Sequence, residues 1–441
     1  MTPIQAAALP QALQGHDLIG RASTGSGKTA VFGLTLLARL NPKFFGVQAL
    51  VLCPTRELAD QVAGEIRRLG RSRENLKVVT LCGGVPLRGQ ADSLAHGAHV
   101  VVGTPGRLLD HLSRGILLLG GLRTLVFDEA DRMLEMGFVD DMVSIAKVCP
   151  KDRQTLLFSA TFPPQIEALA APFMNNPLKM SVEAASNLPQ IEQRFYEVAE
   201  ETRLDALVSV LGHFRPETTL VFVNTKVQAR AVVAFLKAKG LHVLELSGDL
   251  EQKDRDQAMA LFAGRCVSVI VATDVASRGL DIATLDAVVN FDITLDPEIH
   301  VHRIGRTGRA GEGGLAVSLV GPRERTLVRR IEEFQKLVFV PWASVESLTP
   351  SLEGFPVPPR AMVKLLDGRK EKLRPGDVLG ALTAAAGFNR DQVGAIKVTD
   401  FGTWVAVDRP IIDRVLVALA EVPVKGKIRR AVRVGDQGPV P

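Results

Sequence analysis

The chain has 441 residues, 46% of them hydrophobic and 23% charged, with a formal net charge of +5, and this length predicts about two to four domains with cores of their own. An apolar run of membrane-spanning length is lacking, as is a basic segment followed by an apolar one at the amino terminus, so we expect a cytoplasmic protein. The cysteines have neither disulfide-framework nor zinc-ligand spacing; they are Cys53, Cys82, Cys149 and Cys266.

The first chemical motif is a glycine-rich loop at residues 22–29, which follows a strand predicted at residues 18–21. Its glycines let consecutive backbone N–H groups turn onto phosphate oxygens, Lys28 can reach the outer phosphates, and Thr29 can ligate magnesium at a helix start. The alternative is a flexible Gly/Ser turn. The candidate phosphate-binding residues are Thr24, Gly25, Ser26, Gly27, Lys28 and Thr29.

Three further strand-to-helix junctions follow the apolar runs at residues 48–53, 78–81 and 99–102. Backbone amides, hydroxyls and arginines at helix starts can hold a sugar–phosphate backbone without reading bases. Taken singly, each junction is an ordinary strand-to-helix turn; together on one sheet edge they predict a groove for a sugar–phosphate backbone. Its candidate residues are Thr55, Arg56, Gly84, Thr104 and Arg107.

Two adjacent carboxylates, Asp128 and Glu129, come directly after a buried strand predicted at residues 124–127. Ligands of open parallel sheets bind beyond the carboxyl ends of strands, and such a pair suits phosphoryl transfer: one carboxylate holds magnesium while the other orients water. The alternative is a strand followed by solvated acids. Ser159 and Thr161 follow the next predicted strand, which would bring their hydroxyls near Asp128.

A polar segment at residues 181–189 separates the first series of strands and helices from a second alternating series. The second series has no phosphate loop, so we expect no second nucleotide site in it. It carries Thr273, Arg278 and Asp281, and a segment from His302 to Arg309 with three arginines. Arginines this close together need anions, and a guanidinium delivered to a γ-phosphate stabilises the transition state. The alternative is a solvated basic helix.

The last 87 residues, 355–441, hold 15 Lys and Arg against 9 Asp and Glu, so the basic character belongs to this tail. Its elements follow the βαββαβ order of RNA-recognition domains. The stacking aromatics of that fold are mostly missing, since Lys364 takes the place of one and only Trp404 remains. We therefore expect RNA at the basic edge rather than on the sheet, unless this edge is only a solubilising surface. Its cations are Lys425, Lys427, Arg429 and Arg430.

The motifs stand in the order seen in DEAD-box RNA helicases, and the chain resembles that family from Gln5 onwards. With residues 372–377, 394–398 and 425–427 of the tail, it is similar to the DbpA group. The resemblance implies an α/β protein of two tandem RecA-like parallel-sheet domains followed by a small α+β RRM-like domain. The predicted bounds are 1–182 and 190–338 for the RecA-like domains, 339–359 for a linker and 360–436 for the RRM-like domain.

The resemblance also implies roles for single residues. Gln5 would read the adenine edge and Asp281 would contact the ribose of ATP, while Asp128 would hold Mg2+ and Glu129 would activate water. Arg306 and Arg309 would be the arginine fingers, and the residues coupling RNA to nucleotide would be Ser159, Thr161, Thr273, Arg278 and His302. The family's adenine-stacking aromatic upstream of Gln5 is missing from this sequence, so either the true start lies further upstream or this form binds nucleotide more weakly; we expect weaker ATP binding.

The implied function is ATP-dependent unwinding of short RNA duplexes by a monomer. In the DbpA group the tail binds a hairpin of large-subunit ribosomal RNA, which predicts a role in large-subunit assembly. Two alternatives stay open: a general RNA chaperone without a single target, and a nucleotide-gated RNA clamp that barely unwinds.

Overall fold

The computed structural model describes residues 1–22, 26–159, 171–181, 191–274, 285–308, 313–335, 342–348, 352–399 and 402–435. The chain forms two compact units that divide after Leu188. The first holds one α/β domain, and the second holds another α/β domain together with the tail. Within these ranges no helix combines the length and the apolar character needed to cross a membrane.

The sheet of the first unit has seven parallel strands: β1 (Leu18–Arg21), β2 (Ala49–Leu52), β3 (Val78–Leu81), β4 (Val100–Gly103), β5 (Thr124–Phe127), β6 (Gln154–Ser159) and β7 (Leu178–Ser181). Their order is β3-β4-β2-β5-β6-β1-β7. Strands β2, β4, β5 and β6 are buried along their whole length, as expected for a parallel sheet covered on both faces.

Helices cover both faces of this sheet: α1 (Pro3–Leu13), α2 (Lys28–Arg39), α3 (Arg56–Leu69), α4 (Leu87–Ala95), α5 (Pro105–Ser113), α6 (Ala130–Glu135) and α7 (Val139–Val148). Alternate residues of one strand point to opposite faces. Val126 accordingly joins an apolar cluster with Phe32 of α2, whereas Leu125 joins a second cluster with Ile145 of α7. These two cores fix the helix starts at one edge of the sheet.

The second unit begins with another sheet of seven parallel strands: β8 (Ile191–Glu197), β9 (Thr219–Phe222), β10 (Val243–Leu246), β11 (Val269–Ala272), β12 (Ala287–Asn290), β13 (Gly314–Val320) and β14 (Trp342–Ser344). Their order is β10-β11-β9-β12-β13-β8-β14. The described helices of this domain are α8 (Arg203–Phe214), α9 (Lys226–Ala238), α10 (Gln252–Ala263), α11 (Pro297–Ile304) and α12 (Arg325–Gln335).

Strand β14 corrects the predicted linker, because residues 342–344 lie inside the segment 339–359 yet belong to the second sheet. The ring of Trp342 stacks on Phe195 of β8 with centroids 5.8 Å apart. Further along, Leu352 and Phe355 pack against the core of the same domain. The packed side chains Trp342, Leu352 and Phe355 are too far apart in the sequence to produce the alternation of apolar and polar residues that predicts a strand. The sequence pattern therefore indicated a connector.

The tail forms a four-stranded antiparallel sheet: β15 (Arg360–Leu365), β16 (Val393–Val398), β17 (Thr403–Asp408) and β18 (Ala431–Val434), in the order β16-β17-β15-β18. Helix α13 (Pro375–Gly380), which continues as a π-helix over Ala381–Ala385, and α14 (Ile412–Glu421) cover one face. The predicted fold class, two parallel α/β sheets followed by a small α+β domain, is confirmed.

Candidate nucleotide and RNA sites

The strand order of the first sheet divides its carboxyl edge into two halves. Strands β5, β6 and β1 are neighbours, and they are followed or ended by Asp128, Ser159 and the phosphate loop. Strands β3, β4 and β2 are the other neighbours, and they lead into Gly84, Thr104 and Thr55. The nucleotide candidates and the RNA candidates therefore lie side by side on one edge, where parallel sheets bind ligands.

The phosphate loop depends on glycine at position 27. Gly27 has φ +90°, and a Cβ there would lie 2.5 Å from Gln5 Nε2. That amide nitrogen donates a hydrogen bond to Gly27 O at 3.2 Å, while Gln5 Oε1 accepts one from Thr2 N at 3.0 Å. Gln5, which was predicted to read the adenine edge, thus joins the first helix to the loop. Thr24 and Gly25 lie outside the described residues.

Lys28 and Asp128 form a buried ion pair, with Nζ 3.3 Å from Oδ1. Burial opposes the charge on Lys28, but the carboxylates of Asp128, Glu129 and Asp131 outweigh it and raise its pKa. Burial also raises the pKa of Asp128, while Lys28 acts in the opposite direction. The pair places a cation for phosphate beside a carboxylate at the ends of β1 and β5.

Apart from the Lys28–Asp128 ion pair, four buried polar atoms at this point make no hydrogen bond of regular geometry among the described residues: Ser26 Oγ, Lys28 Nζ and both carboxylate oxygens of Asp128. Buried polar atoms in native proteins are nearly always satisfied, so these atoms indicate a polar ligand. A nucleotide phosphate fits the cation and the hydroxyl, and Mg2+ fits the carboxylate together with Thr29. No group of three or more acidic, histidine or cysteine side chains that could hold a metal ion occurs in the described ranges.

Glu129 follows in a backbone conformation that is uncommon for a residue with a side chain. Its φ is +54° and its ψ is +53°, directly before α6. Non-glycine residues in the left-handed region cost about 1–3 kcal/mol and cluster at functional sites. Ser159, the last residue of β6, is buried, and its carbonyl accepts the Ala22 N–H at 2.9 Å. Thr161 lies outside the described residues.

The RNA half of the edge is built from helix starts. Thr55 caps α3, since its Oγ1 accepts the Leu58 N–H at 3.3 Å, and Arg56 lies 3.9 Å from Asp60. Thr104 directly precedes α5, and Gly84 has φ +76°. This arrangement presents hydroxyls, a guanidinium and backbone N–H groups at one edge.

A polar cluster that the sequence did not reveal supports this half. Arg107 Nη1 donates to Val85 O at 3.0 Å and to Gln90 Oε1 at 2.9 Å. Gln90 Nε2 in turn donates to Cys82 O at 2.8 Å, and His111 Nε2 lies 2.9 Å from Gln90 Oε1. Burial first, then Arg107, lowers the pKa of His111. Arg107 therefore holds the loop after β3 in place as well as lining the edge.

In the second α/β domain, the first arginine of the predicted triplet is a structural residue. Arg303 is 1% exposed, and its Nε and Nη2 both donate to the Asp274 carboxylate at 2.7 Å. The guanidinium also donates to Asn224 Oδ1 at 3.0 Å and to Asp292 O at 2.7 Å. The anion that Arg303 needs is thus supplied by the same domain, which the sequence could not show because Asp274 is 29 residues away.

Arg306 lies two residues after the end of α11 and is 8% exposed, while His302 on α11 is half-buried. Thr273 follows β11 and is buried at the carboxyl edge of the second sheet. Three further candidates of this domain lie outside the described residues: Arg278, Asp281 and Arg309.

The basic candidates of the tail divide into exposed and buried cations. Lys425 and Gly426 both have positive φ, at +52° and +76°, and Val424 N donates to Lys427 O at 2.9 Å, which makes a tight turn. The Lys425 ammonium donates to Lys372 O and lies 3.5 Å from Asp377. This contact joins the turn to a second loop. We call the surface formed by residues 369–374 and 425–430 the two-loop basic face. Its exposed cations are Arg369, Lys370, Lys372, Arg374, Lys425, Lys427 and Arg430.

Arg429 differs from its neighbours, because it is 6% exposed and its Nη1 donates to Asp367 Oδ2 at 2.6 Å. Its Nε donates to Val424 O at 3.1 Å. These bonds give Arg429 the place of a structural cation under the turn. Trp404 is also buried, with the Lys364 ammonium 4.9 Å from its ring centroid, so its ring is not presented as a stacking platform.

The sequence matches three family descriptions in succession. These are DEAD/DEAH box helicase over residues 2–169, Helicase conserved C-terminal domain over residues 202–311, and DbpA RNA binding domain over residues 365–433.

Comparison with individual proteins gives the same result. The chain is 48% identical over 432 residues to ATP-dependent RNA helicase DbpA of Escherichia coli (strain K12), which covers 98% of this chain and 93% of that protein. It is 44% identical over 336 residues to DEAD-box ATP-dependent RNA helicase CshA of Bacillus subtilis (strain 168), covering 76% of this chain and 68% of that protein.

A solved structure of S. cerevisiae Dbp5 bound to RNA and ADP BeF3 matches the fold with a TM-score of 0.71 and 31% identity, covering 78% of this chain and 90% of that one. The fold and the sequence comparisons agree with the resemblance found in the motifs. The chain therefore belongs to the DEAD-box family of ATP-dependent RNA helicases, and within it to the DbpA-like proteins with an RNA-binding tail.

Proposed function

We propose that this helicase separates short RNA duplexes by closing its two α/β domains on one strand, and that its tail directs it to large-subunit ribosomal RNA during ribosome assembly. The observation that carries the proposal is the shared edge of the first sheet, where nucleotide and RNA groups lie on neighbouring strands. Ligands bound side by side on one edge can both favour closure, and each then raises the affinity for the other.

For hydrolysis, we assign the residues of the first domain as follows. Lys28 holds the outer phosphates of ATP, and Thr29 with Asp128 would hold Mg2+. A bound Mg2+ neutralises charge that develops on the phosphates. Glu129 then positions the attacking water and accepts its proton. Its left-handed backbone conformation, directly before α6, is of the kind that is retained at functional sites.

For closure, we assign Arg306 and Arg309 to the γ-phosphate once RNA has brought the two domains together. A guanidinium supplied across a cleft stabilises charge in the transition state, so hydrolysis then depends on RNA. A strand held in a bent path cannot remain in a regular duplex, and hydrolysis reopens the cleft to release it. Ser159, Thr161, Thr273, Arg278 and His302 would connect the RNA to this step, and Asp281 would hold the ribose.

For targeting, we assign the RNA hairpin to the two-loop basic face. Seven exposed cations lie on two loops that Lys425 joins, whereas Arg429 supports the turn from below. Such clusters attract the phosphate backbone, and their contribution weakens as salt rises. The match of residues 365–433 to the DbpA RNA binding domain supports the same assignment. We further propose a monomer that works in the cytoplasm.

Crosslinking to total cellular RNA, followed by mapping of the sites, tests the targeting. The unmodified chain should give a peak in large-subunit ribosomal RNA, and the charge-reversing variant Lys427→Glu/Arg430→Glu should lose it. Arg414→Glu is the matched control, since Arg414 lies on α14 with its guanidinium 5.5 Å from the Phe388 ring centroid. A map scattered over many RNAs in the unmodified chain would favour the general chaperone instead.

A nucleotide-gated clamp is the second candidate, and it differs in how much duplex it displaces. The helicase should release a labelled strand from a short duplex as ATP is consumed. A clamp would hold RNA and hydrolyse ATP without releasing the strand. Measuring both rates in one reaction distinguishes the two.

A further inference from the structure

The tail sheet has a second face that is buried although no tail helix lies on it. Val363, Val405 and Val407 point towards α13 and α14 and form the tail core. Residues alternating with them point the other way: Met362 pairs with Ala406 on one side and with Val434 on the other. These three side chains are 1%, 0% and 6% exposed. An apolar row on an uncovered sheet would be exposed, so another part of the chain covers it.

The covering element is the turn between α10 and β11 of the preceding α/β domain. Gly264 ends α10, and a Cβ at this position would lie 2.9 Å from Ala406 Cβ and 3.0 Å from Met362 Cε. It would also lie 3.0 Å from Ala260 O. The backbone of the turn thus approaches the sheet as closely as a glycine allows. A close approach of this kind requires matched surfaces.

Arg409 fastens the same contact at the end of β17. Its Nε donates to Pro358 O at 2.8 Å, and its Nη2 donates to Arg360 O at 3.0 Å and to Cys266 O at 3.5 Å. Two of these carbonyls belong to the tail and its connector, and the third belongs to the α10–β11 turn. One guanidinium therefore bonds both sides.

The connector lies along the same domain. Ser268 Oγ donates to Pro356 O at 3.4 Å, and Arg215 Nη2 donates to Glu353 O at 3.0 Å. Phe355 packs against the core of the second α/β domain. The connector is thus held against the second α/β domain at Glu353, Phe355 and Pro356, which restricts the movement of the tail relative to that domain.

RNA-recognition domains stack bases on the face of the sheet that is turned away from their helices. We propose that this face of the tail sheet, which carries Met362, Ala406 and Val434, is here an intramolecular docking surface for the second α/β domain. The tail and that domain then move as one body. RNA held by the two-loop basic face keeps a fixed position relative to Arg306 while the first domain opens and closes. The docking itself does not depend on the proposed RNA target.

A distance measurement between two spin labels tests the docking. Cysteines introduced at Val227 on α9 and Val417 on α14 would take the labels, because these residues are 76% and 62% exposed and the four native cysteines are buried. Pulsed electron paramagnetic resonance on the full chain without RNA should give a single narrow distance distribution. An RNA hairpin and an ATP analogue should leave it unchanged.

Two variants should loosen the contact. Ala406→Glu introduces a carboxylate against Gly264, and Arg409→Ala removes the bonds to Cys266 and the connector; both should broaden the distribution. Matched controls on the helix side are Ala420→Glu, which is exposed, and Arg433→Ala, whose guanidinium pairs with Asp413 at 3.5 Å. Both controls should keep the narrow distribution.

A broad distribution in the unmodified chain would overturn the docking, and so would an unchanged narrow one in both Ala406→Glu and Arg409→Ala. Because the unmodified chain is measured first, the result holds even if Ala406→Glu fails to fold. A narrow distribution in a chain whose tail binds no RNA would refute the proposed target and leave the docking intact, so the two failures are distinguishable.

Discussion

The two α/β domains have the same strand order but differ in how the carboxylates at the carboxyl edges of their sheets are hydrogen-bonded. Strands 3-4-2-5-6-1-7 of the first sheet correspond one by one to β10-β11-β9-β12-β13-β8-β14 of the second. After β5, the carboxylate of Asp128 faces the Lys28 ammonium, with Oδ1 3.3 Å from Nζ, and neither of its oxygens makes a hydrogen bond of regular geometry. After the corresponding β12, Asp292 accepts bonds from Arg203 at 3.2 Å and from Asn224 N at 2.7 Å. The first of these carboxylates is left open to a ligand, and the second is satisfied by groups of its own domain.

This difference explains how one fold serves two roles. Buried polar atoms without partners are destabilising, so their presence beside Lys28 indicates that a ligand completes them. In the second domain, Arg203, Asp292 and Arg303 occupy the corresponding edge, and no phosphate loop precedes its first helix. We infer that only the first domain holds nucleotide. The second domain contributes Arg306 and Arg309, which follow the helix α11 in the sequence rather than a strand of its sheet.

The largest expected effect concerns the carboxyl edge of the first sheet. Glu129→Gln should keep the shape of the site and lower ATP turnover by about 10²–10⁴-fold, because the amide cannot accept a proton from water. Binding of RNA and nucleotide should stay within a few fold. Phosphate release in the presence of RNA measures the change, and Glu135→Gln, at the end of the helix that Glu129 precedes, is the control. Undiminished release by Glu129→Gln would contradict the role assigned to it.

Substitutions at the corresponding edge of the second α/β domain should lower the free energy of unfolding rather than the rate of ATP hydrolysis. Arg303→Ala leaves Asp274 and two acceptor oxygens without their partner, and breaking a buried pair costs about 3–5 kcal/mol. Denaturant unfolding of the full chain should show the loss in the transition of the second α/β domain. Arg323→Ala removes an exposed arginine of that domain and should change little. Equal effects of the two variants would contradict the structural role of Arg303.

A smaller effect should appear with pH. His300 is buried beside Arg303, and desolvation first, then that arginine, lowers its pKa to about 3. Between this value and about 6.5 the unfolded chain binds a proton that the folded one does not. The free energy of unfolding should therefore fall as pH drops through this range, by at most about 1.4 kcal/mol per pH unit from this residue. His300→Phe should make the dependence shallower, and an unchanged slope would exclude His300 as its source.

The smallest effect should come from a single exposed cation of the tail. Lys427→Ala should leave stability unchanged and reduce the salt dependence of RNA binding by about one unit of slope. Arg429→Ala should instead destabilise the tail, because it leaves Asp367 without its partner. Binding isotherms at several salt concentrations, together with thermal unfolding, separate the two. If Lys427→Ala were the destabilising change, the division into exposed and structural cations would be wrong.

Much of the nucleotide edge was predictable because its chemistry is local. Lys28 and Asp128 each follow an apolar strand, and parallel strands bring their carboxyl ends to one edge. Partners distant in sequence could not be predicted. Gln90 joins Arg107 across 17 residues, and Arg429 meets Asp367 across 62. The same reason hid the docking of the tail, since nothing near Met362 or Ala406 indicates that Gly264 lies against them.

The most direct test of the account is the stoichiometry of nucleotide binding. Titration of the full chain with a non-hydrolysable ATP analogue, in the presence of Mg2+ and single-stranded RNA, should give one nucleotide per chain. Lys28→Ala should abolish this binding, and Lys226→Ala at the start of α9 should not. Two nucleotides per chain, or one that survives Lys28→Ala, would contradict the claim that only the first edge is built to be completed by a nucleotide.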